Sequence, residues 1–489
     1  MTDEIDPGDR ADDAEALDAV DLEILRNQLE SVAEEMGQVL IRGAYSPNIT
    51  ERRDCSTALF DATGRMIAQA EHIPVHLGAM PEAVAAVRDC DPQPGDVFAL
   101  NDPFTGGTHL PDVTLVAPIS HEGDILGYTV SRAHHADVGG MSPGSMPAGA
   151  RDIQQEGLRL PPVRRAANDR GARRLLELYE EHGDRLLAAF DAVIDYSRSR
   201  LESELREIPD GEYRATDALE GDGVTDAAIP IEVAVRVDGT SVEVDFTGTA
   251  GQVAGNVNAP LPVAKSAVYF VIRCVTDPDI PPNHGCYEPV TVYAPAGSLL
   301  DPKPPAAVVG GNVETSQRVT DVVFAALADA APERVPAQGQ GTMNNLIVGS
   351  SAFVYYETIG GGAGANPDSD GLSGVQVGMT NTRNTPVEAL EAAYPLRVEE
   401  YALRTGSGGD GQFRGGDGLV RALRMETDAT VSLLTERRSR APSGVAGGDD
   451  GASGRNAIDG EEVPAKMTRE IDAGTTVRVE TPGGGGYGE

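Results

Sequence analysis

The chain has 489 residues, 40% of them hydrophobic, enough for two or three domains with cores of their own. Its 77 acidic against 39 basic residues leave a net charge of -38, a field that repels phosphate backbones and anionic lipid, so nucleic acid and membranes are excluded as partners. Lys occurs only at Lys265, Lys303 and Lys466; an acidic, lysine-poor surface stays hydrated in concentrated salt and points to a halophilic source.

In chain order, residues 1–20 read as an acidic disordered tail, with Asp and Glu crowded around Pro7 and Gly8. No apolar run reaches membrane-spanning length and the N-terminus lacks the basic-then-apolar order of a signal peptide, so a cytoplasmic location is expected. Residues 21–170 are expected to form a domain that carries the site. It opens with Leu22, Leu25, Leu29, Val32, Met36 and Val39, whose steps of three and four mark an amphipathic helix. A connecting helical region follows over 171–210. It starts near Leu175, breaks at Gly183, and resumes with Leu186, Phe190, Val193, Ser197, Leu201 and Leu205 on one face until Pro209 and Gly211 end it.

Residues 211–345 read as a hairpin and helix domain, because Ile231, Val233, Val235 and Val237 alternate before Asp238-Gly239 and Val242, Val244 and Phe246 alternate after it. Residues 346–489 are dense in glycine without a fixed period and read as short strands and tight turns. The fold class is therefore mixed α and β (α+β), a β-rich, glycine-rich core with amphipathic helices and more than one domain. Cys55, Cys90, Cys274 and Cys286 show no ligand spacing, which argues against a disulfide framework or a structural zinc.

Chemistry concentrates between Asn101 and Pro147. Val113–Ile119 and Ile125–Ser131 are apolar runs of strand length around the turn residues His121-Glu122-Gly123-Asp124, an antiparallel hairpin. Folding it about its centre sets Asp112 opposite Ala133 and brings His109 near residues 134–136. His109, Asp112 and His134 would then offer two nitrogens and one oxygen to a divalent metal, leaving open the positions that Lewis-acid catalysis or water activation needs. His135 and Asp137 are placed beside these ligands, since ligating imidazoles hand their other N–H to a carboxylate or carbonyl.

A second polar cluster runs from Asn48 to Ser56 and from Gln69 through His72 to His76. Its Asp54 is read as a fourth ligand or a base, or else as the partner of Arg52 or Arg53. No phosphate-binding glycine loop is present. Cys286, after Asn283-His284-Gly285, and Ser145, which lacks a second glycine, are set aside as nucleophiles.

These residues resemble the hydantoinase B family, which includes the N-methylhydantoinase beta subunit, the corresponding half of ATP-dependent 5-oxoprolinase and the metal-bearing subunit of acetone carboxylase. The resemblance runs from about Leu22 to the end. It rests on blocks at 46–54, 64–78, 101–112, 134–147, 310–316, 379–388 and 414–416 and on the terminal Pro482-Gly-Gly-Gly-Gly-Tyr487. It departs at Gln376-Val-Gly378, where many relatives carry histidines.

The resemblance implies a metal at His109, Asp112 and His134 with Asp54 completing the set, Mn, Zn or Fe being equally acceptable to mixed N/O ligands. It implies a kinase-like hydantoinase A-type subunit that holds ATP and Mg, a hetero-oligomer such as α2β2, and hydrolysis of a cyclic amide such as a hydantoin or 5-oxoproline. Asp54, Asp137 or His135 would handle the proton of the attacking water. The alternatives are carboxylation of a small ketone, as in acetone carboxylase, and a scaffold subunit with a closed structural metal.

Overall fold

The computed structural model describes residues 17–71, 73–166 and 170–489; His72 and nearly all of the expected acidic tail lie outside them. Asp18 caps helix α1 (Ala19–Gly43) by accepting from the Val20 and Asp21 amides. Leu25, Leu29, Val32 and Met36 bury one stripe as their spacing predicts, but Val39 is 47% exposed. A straight helix drifts relative to a strict repeat, so the last turn presents Leu40 and Ile41 instead, which meet Ile49, Cys55 and Ala133.

After α2 (Pro47–Thr50) come β1 (Cys55–Asp61), β2 (Met66–Glu71), α3 (Met80–Arg88), β3 (Asp96–Leu100), β4 (Asp112–His121), β5 (Asp124–His134) and β6 (Val163–Ala166). The six strands form one antiparallel sheet in the order β2-β1-β5-β4-β3-β6. One face packs under α1, α4 (Arg170–His182) and α5 (Asp184–Leu205), where Leu25, Leu29, Leu59, Ile67, Leu178 and Phe190 share a core. The break between α4 and α5 is Gly183, at φ +57. The other face contributes Phe60, Phe98, Val116 and Val130 to the largest core. Because both faces are covered, β1 is buried along its whole length.

The β4–β5 hairpin is longer than its apolar runs and its register differs from simple folding about the centre. Glu122 and Gly123 sit at φ +52 and +102, the left-handed pair of a tight hairpin turn. His121 pairs with Asp124 and Ser120 with Ile125, but Ile119 pairs with Gly127, so Leu126 is an extra residue in β5. This β-bulge moves every later pair by one: Asp112 faces His134, and Ala133 faces Val113.

The second sheet holds β7 (Gly211–Leu219), β8 (Ile229–Asp238), β9 (Ser241–Asp245) and β10 (Val290–Tyr293) in the order β10-β9-β8-β7, and β8–β9 is the hairpin expected at Asp238-Gly239. Helix α6 (Leu261–Cys274) and helix α7 (Ser316–Leu327) cover it, and α7 is preceded by one π-helical turn, Gly311–Thr315.

The glycine-rich remainder supplies β11 (Asn345–Gly349), β12 (Val354–Thr358), α8 (Val387–Ala393), β13 (Leu396–Arg404), β14 (Gly418–Met425), β15 (Ala429–Leu434), β16 (Arg455–Ile458), β17 (Glu461–Glu462), β18 (Lys466–Ile471) and β19 (Thr476–Glu480). Two sheets, β12-β11-β15-β18 and β13-β14-β19-β16-β17, bury Leu346, Tyr355, Leu423, Leu433 and Val477 between them. Strand alternation turns Ile347 and Tyr356 the other way, into the core behind β4 and β5. No helix among the described residues is long and apolar enough to cross a membrane.

Candidate metal centre

The first residue of β4 and the last of β5 are paired, so Asp112 and His134 project from one face at the open end of the hairpin. Asp112 is 1% exposed and is ringed by imidazoles. Its Oδ1 lies 2.9 Å from His109 Nε2 and 3.0 Å from His134 Nδ1, and its Oδ2 lies 3.4 Å from His76 Nε2 and accepts from Thr108 Oγ1 at 3.1 Å. His76 comes from the turn between β2 and α3, with its Nδ1 2.9 Å from Ser56 Oγ. Tyr356 stacks on His134 with centroids 4.8 Å apart, and its ring is backed by the Arg52 guanidinium at 4.6 Å.

The arrangement leaves polar atoms without partners. His109 Nδ1, His134 Nε2 and Asn312 Oδ1 are buried and accept or donate no hydrogen bond. His109 Nε2 is also contested, since Asn312 Nδ2 approaches it at 3.2 Å while Asp112 Oδ1 approaches at 2.9 Å. A single ring nitrogen cannot both accept from an amide and donate to a carboxylate. Ligand atoms of His109, Asp112 and His134 lie within 4.8 Å of one another, and Asp54 joins them around a cavity of about 20 Å³. A space of that size takes one water or ion. Orphaned imidazole nitrogens, a shared carboxylate and a single-ion cavity fit a divalent cation.

Electrostatics agree with a ligand role. Burial pushes the His109 imidazole down, outweighing the pull of Asp112. Burial opposes ionisation of Asp112, yet His109 and hydrogen bonds from His109, His134 and His76 hold its carboxyl well below the usual range. Arg132, two residues before His134 in β5, is fully buried and donates to Thr114 Oγ1 at 2.8 Å, keeping a cation beside this carboxylate.

Asp54 is 6% exposed and bound to the hairpin through its backbone: its carbonyl accepts from the His134 N–H at 3.0 Å. Among the described residues it has no ion pair with Arg52 or Arg53. Arg52 instead donates to Tyr356 O at 2.9 Å and Thr358 Oγ1 at 3.0 Å. His135 is exposed, and burial of part of its ring with the neighbouring His134 pushes its imidazole down. The Asp137 carboxylate is taken up by the loop after β5, accepting from the Gly139 and Gly144 amides at 2.7 and 3.1 Å and from Ser145 Oγ at 2.9 Å.

His76 and Asn312 are the neighbours that sequence reasoning missed. His76 sat in the polar Gln69–His76 cluster without a role, and Asn312 is delivered by a π turn with no sequence signature of its own. None of the four cysteines is in a disulfide, and the Cys286 thiol is buried and donates to Asn283 O.

The same fold occurs in known proteins. The chain is 28% identical to the ATP-dependent caprolactamase from Pseudomonas jessenii, with a TM-score of 0.88 over 97% of this chain and 91% of that one. It shares its fold with an acetone carboxylase structure at 19% identity and a TM-score of 0.85, covering 95% and 76%. It is 38% identical to 5-oxoprolinase 1 of Arabidopsis thaliana across 96% of its own length, and spans 42% of that longer protein. The family model described as Hydantoinase B/oxoprolinase matches residues 18–166 and 164–489, and the chain belongs to the hydantoinase B/oxoprolinase family.

Proposed function

We propose that this chain is the metal-dependent hydrolytic subunit of an ATP-dependent enzyme that opens a cyclic amide, of the hydantoin or 5-oxoproline type. The observation that carries the reading is the buried convergence of His109, His134 and His76 on Asp112 with ring nitrogens left over, in a chain of this family. The relative 5-oxoprolinase 1 extends well beyond the part matched here, and the caprolactamase is named as ATP-dependent. With no nucleotide loop in this sequence, ATP and Mg belong to a kinase-like partner of the hydantoinase A type in a hetero-oligomer.

His109, Asp112 and His134 would hold the divalent cation, with Asp54 as the remaining oxygen donor or as the base. Such a cation supplies a Lewis acid and acidifies bound water. The protein's own groups do the rest. Asp112 fixes the facing rings of His109 and His134, and Tyr356 holds the His134 plane by stacking. Asp54, whose carboxylate makes no hydrogen bond among the described residues, accepts the proton of the attacking water more readily than Asp137, whose oxygens are occupied by the loop. His135 lies at the exposed edge, where it can pass that proton to solvent.

The test is ATP-dependent ring opening of hydantoin and 5-oxoproline by this chain combined with its A-type partner. Activity that needs both chains and ATP, and disappears in Asp112→Asn, supports the reading. Turnover that survives Asp112→Asn, or that needs no partner, overturns it.

A further inference from the structure

The two oxygens of Asp112 have different neighbours. Oδ1 faces ring nitrogens of His109 and His134, at 2.9 and 3.0 Å. Oδ2 meets two other groups, Thr108 Oγ1 at 3.1 Å and His76 Nε2 at 3.4 Å. Each oxygen of an ionised carboxylate offers about two lone-pair directions and donates nothing. Both directions of Oδ2 are therefore taken within the protein, and Oδ1 is the oxygen left for an ion.

Both groups on Oδ2 are held from behind. A carboxylate can only accept, so the His76 nitrogen that faces it carries the proton, and Nδ1 is left to accept from Ser56 Oγ at 2.9 Å. Ser56 is fully buried in β1, where it pairs with Arg132 of β5. The turn Pro74–His76 is tied to α6, since the Gly78 amide donates to Ser266 Oγ at 2.8 Å. Thr108 is fully buried and follows Gly107, whose amide donates to Asp102 O at 2.8 Å and on which a Cβ would lie 2.4 Å from Asn101 O. His76 is 1% exposed and stands outside the set of His109, Asp112 and His134 atoms that close to within 4.8 Å. Its route to a bound ion runs through Asp112.

We propose that His76 and Thr108 are positioning residues that restrict Asp112 to one ligand oxygen, with Ser56 fixing the His76 tautomer, so that a coordination position stays open. The inference rests on the metal-dependent reading above. Carboxylates bind divalent cations through one oxygen or through both. An Asp112 free to turn would close on the ion with its second oxygen and fill the position that Lewis-acid chemistry needs.

Proton relaxation of solvent water by the full chain loaded with Mn2+ reports the exchangeable positions on the ion and needs no turnover. Wild type and His76→Gln, whose amide keeps a donor in place of Nε2, should give the same relaxation. His76→Leu combined with Thr108→Val should still hold the ion, yet lose at least half of the wild-type enhancement. With the A-type partner and ATP, kcat of this double variant should fall about tenfold or more while KM stays within about twofold. Ser56→Ala is the milder form of the test, because it leaves both donors and releases the His76 ring; it should lose part of the enhancement. Wild-type relaxation in both the double variant and Ser56→Ala, or loss of the ion from a double variant that is folded by circular dichroism, would overturn the positioning role and leave the metal reading standing. A wild type that takes up no Mn2+ would refute the metal reading and this role with it.

Discussion

Glu314 should make the protein less stable as pH rises toward 8, and Glu314→Gln should remove that dependence. The residue sits in the π turn before α7, fully buried, with Oε1 accepting from the Met343 amide at 3.1 Å and Asn345 Nδ2 at 2.8 Å, and with Oε2 unpartnered. Burial pushes its carboxyl from 4.5 up to about 8, so the folded protein keeps the proton through neutrality. The unfolded chain ionises near 4.5. Between these values the native state binds the extra proton, and stability therefore falls with rising pH. The slope is about 1.4 kcal/mol per pH unit, or roughly 2–3 kcal/mol between pH 5.5 and 7.5. For a chain of this size that corresponds to a shift of about 2–3 °C in Tm. Thermal unfolding of wild type and Glu314→Gln across that range should show the wild-type curve falling relative to the variant. Parallel profiles would mean that Glu314 is ionised in the native state and that burial does not govern it.

Three further outcomes follow from particular contacts. A methyl group on Gly78 would lie 2.8 Å from the Ser266 amide, so Gly78→Ala should force α6 away from the turn that carries His76 and lower stability by about 1–3 kcal/mol, read by denaturant titration. Tyr356→Phe keeps the stack on His134 but removes the bond to Asn345 Oδ1, which should cost about 1–2 kcal/mol while leaving metal content unchanged; metal loss in this variant would contradict a purely packing role for the ring. Asp54→Asn should leave the fold intact by circular dichroism yet lower metal affinity or ring opening at least tenfold; wild-type behaviour in both would remove Asp54 from the site.

Much of the site is local and could be read without a structure. His109 precedes one strand and Asp112 opens it, His134 ends its hairpin partner, and alternation plus a turn brings them together. What defeated the register was Leu126, because a bulge leaves no mark on an alternating apolar pattern while shifting each later pair. Asp54 reaches the site because β1 pairs with β5, Cys55 lying opposite Ala133, a non-local pairing that hydropathy does not encode. His76 and Asn312 arrive from a short turn and a π turn, where neither period 2 nor 3.6 applies. The helices over 170–205 and the β8–β9 hairpin were legible because long periodic runs with glycine punctuation have few alternative readings. In the glycine-rich third, strands and turns could be expected, but their assembly into two facing sheets rests on contacts far apart in sequence.

The most direct measurement is elemental analysis of the purified wild-type chain beside His109→Ala and His134→Ala. About one divalent metal ion per wild-type chain, absent from both folded variants, is the predicted result. A metal-free wild type that still hydrolyses a cyclic amide with its partner and ATP, or variants that retain the ion in full, would contradict the assignment of the His109, Asp112 and His134 cluster as a catalytic metal centre.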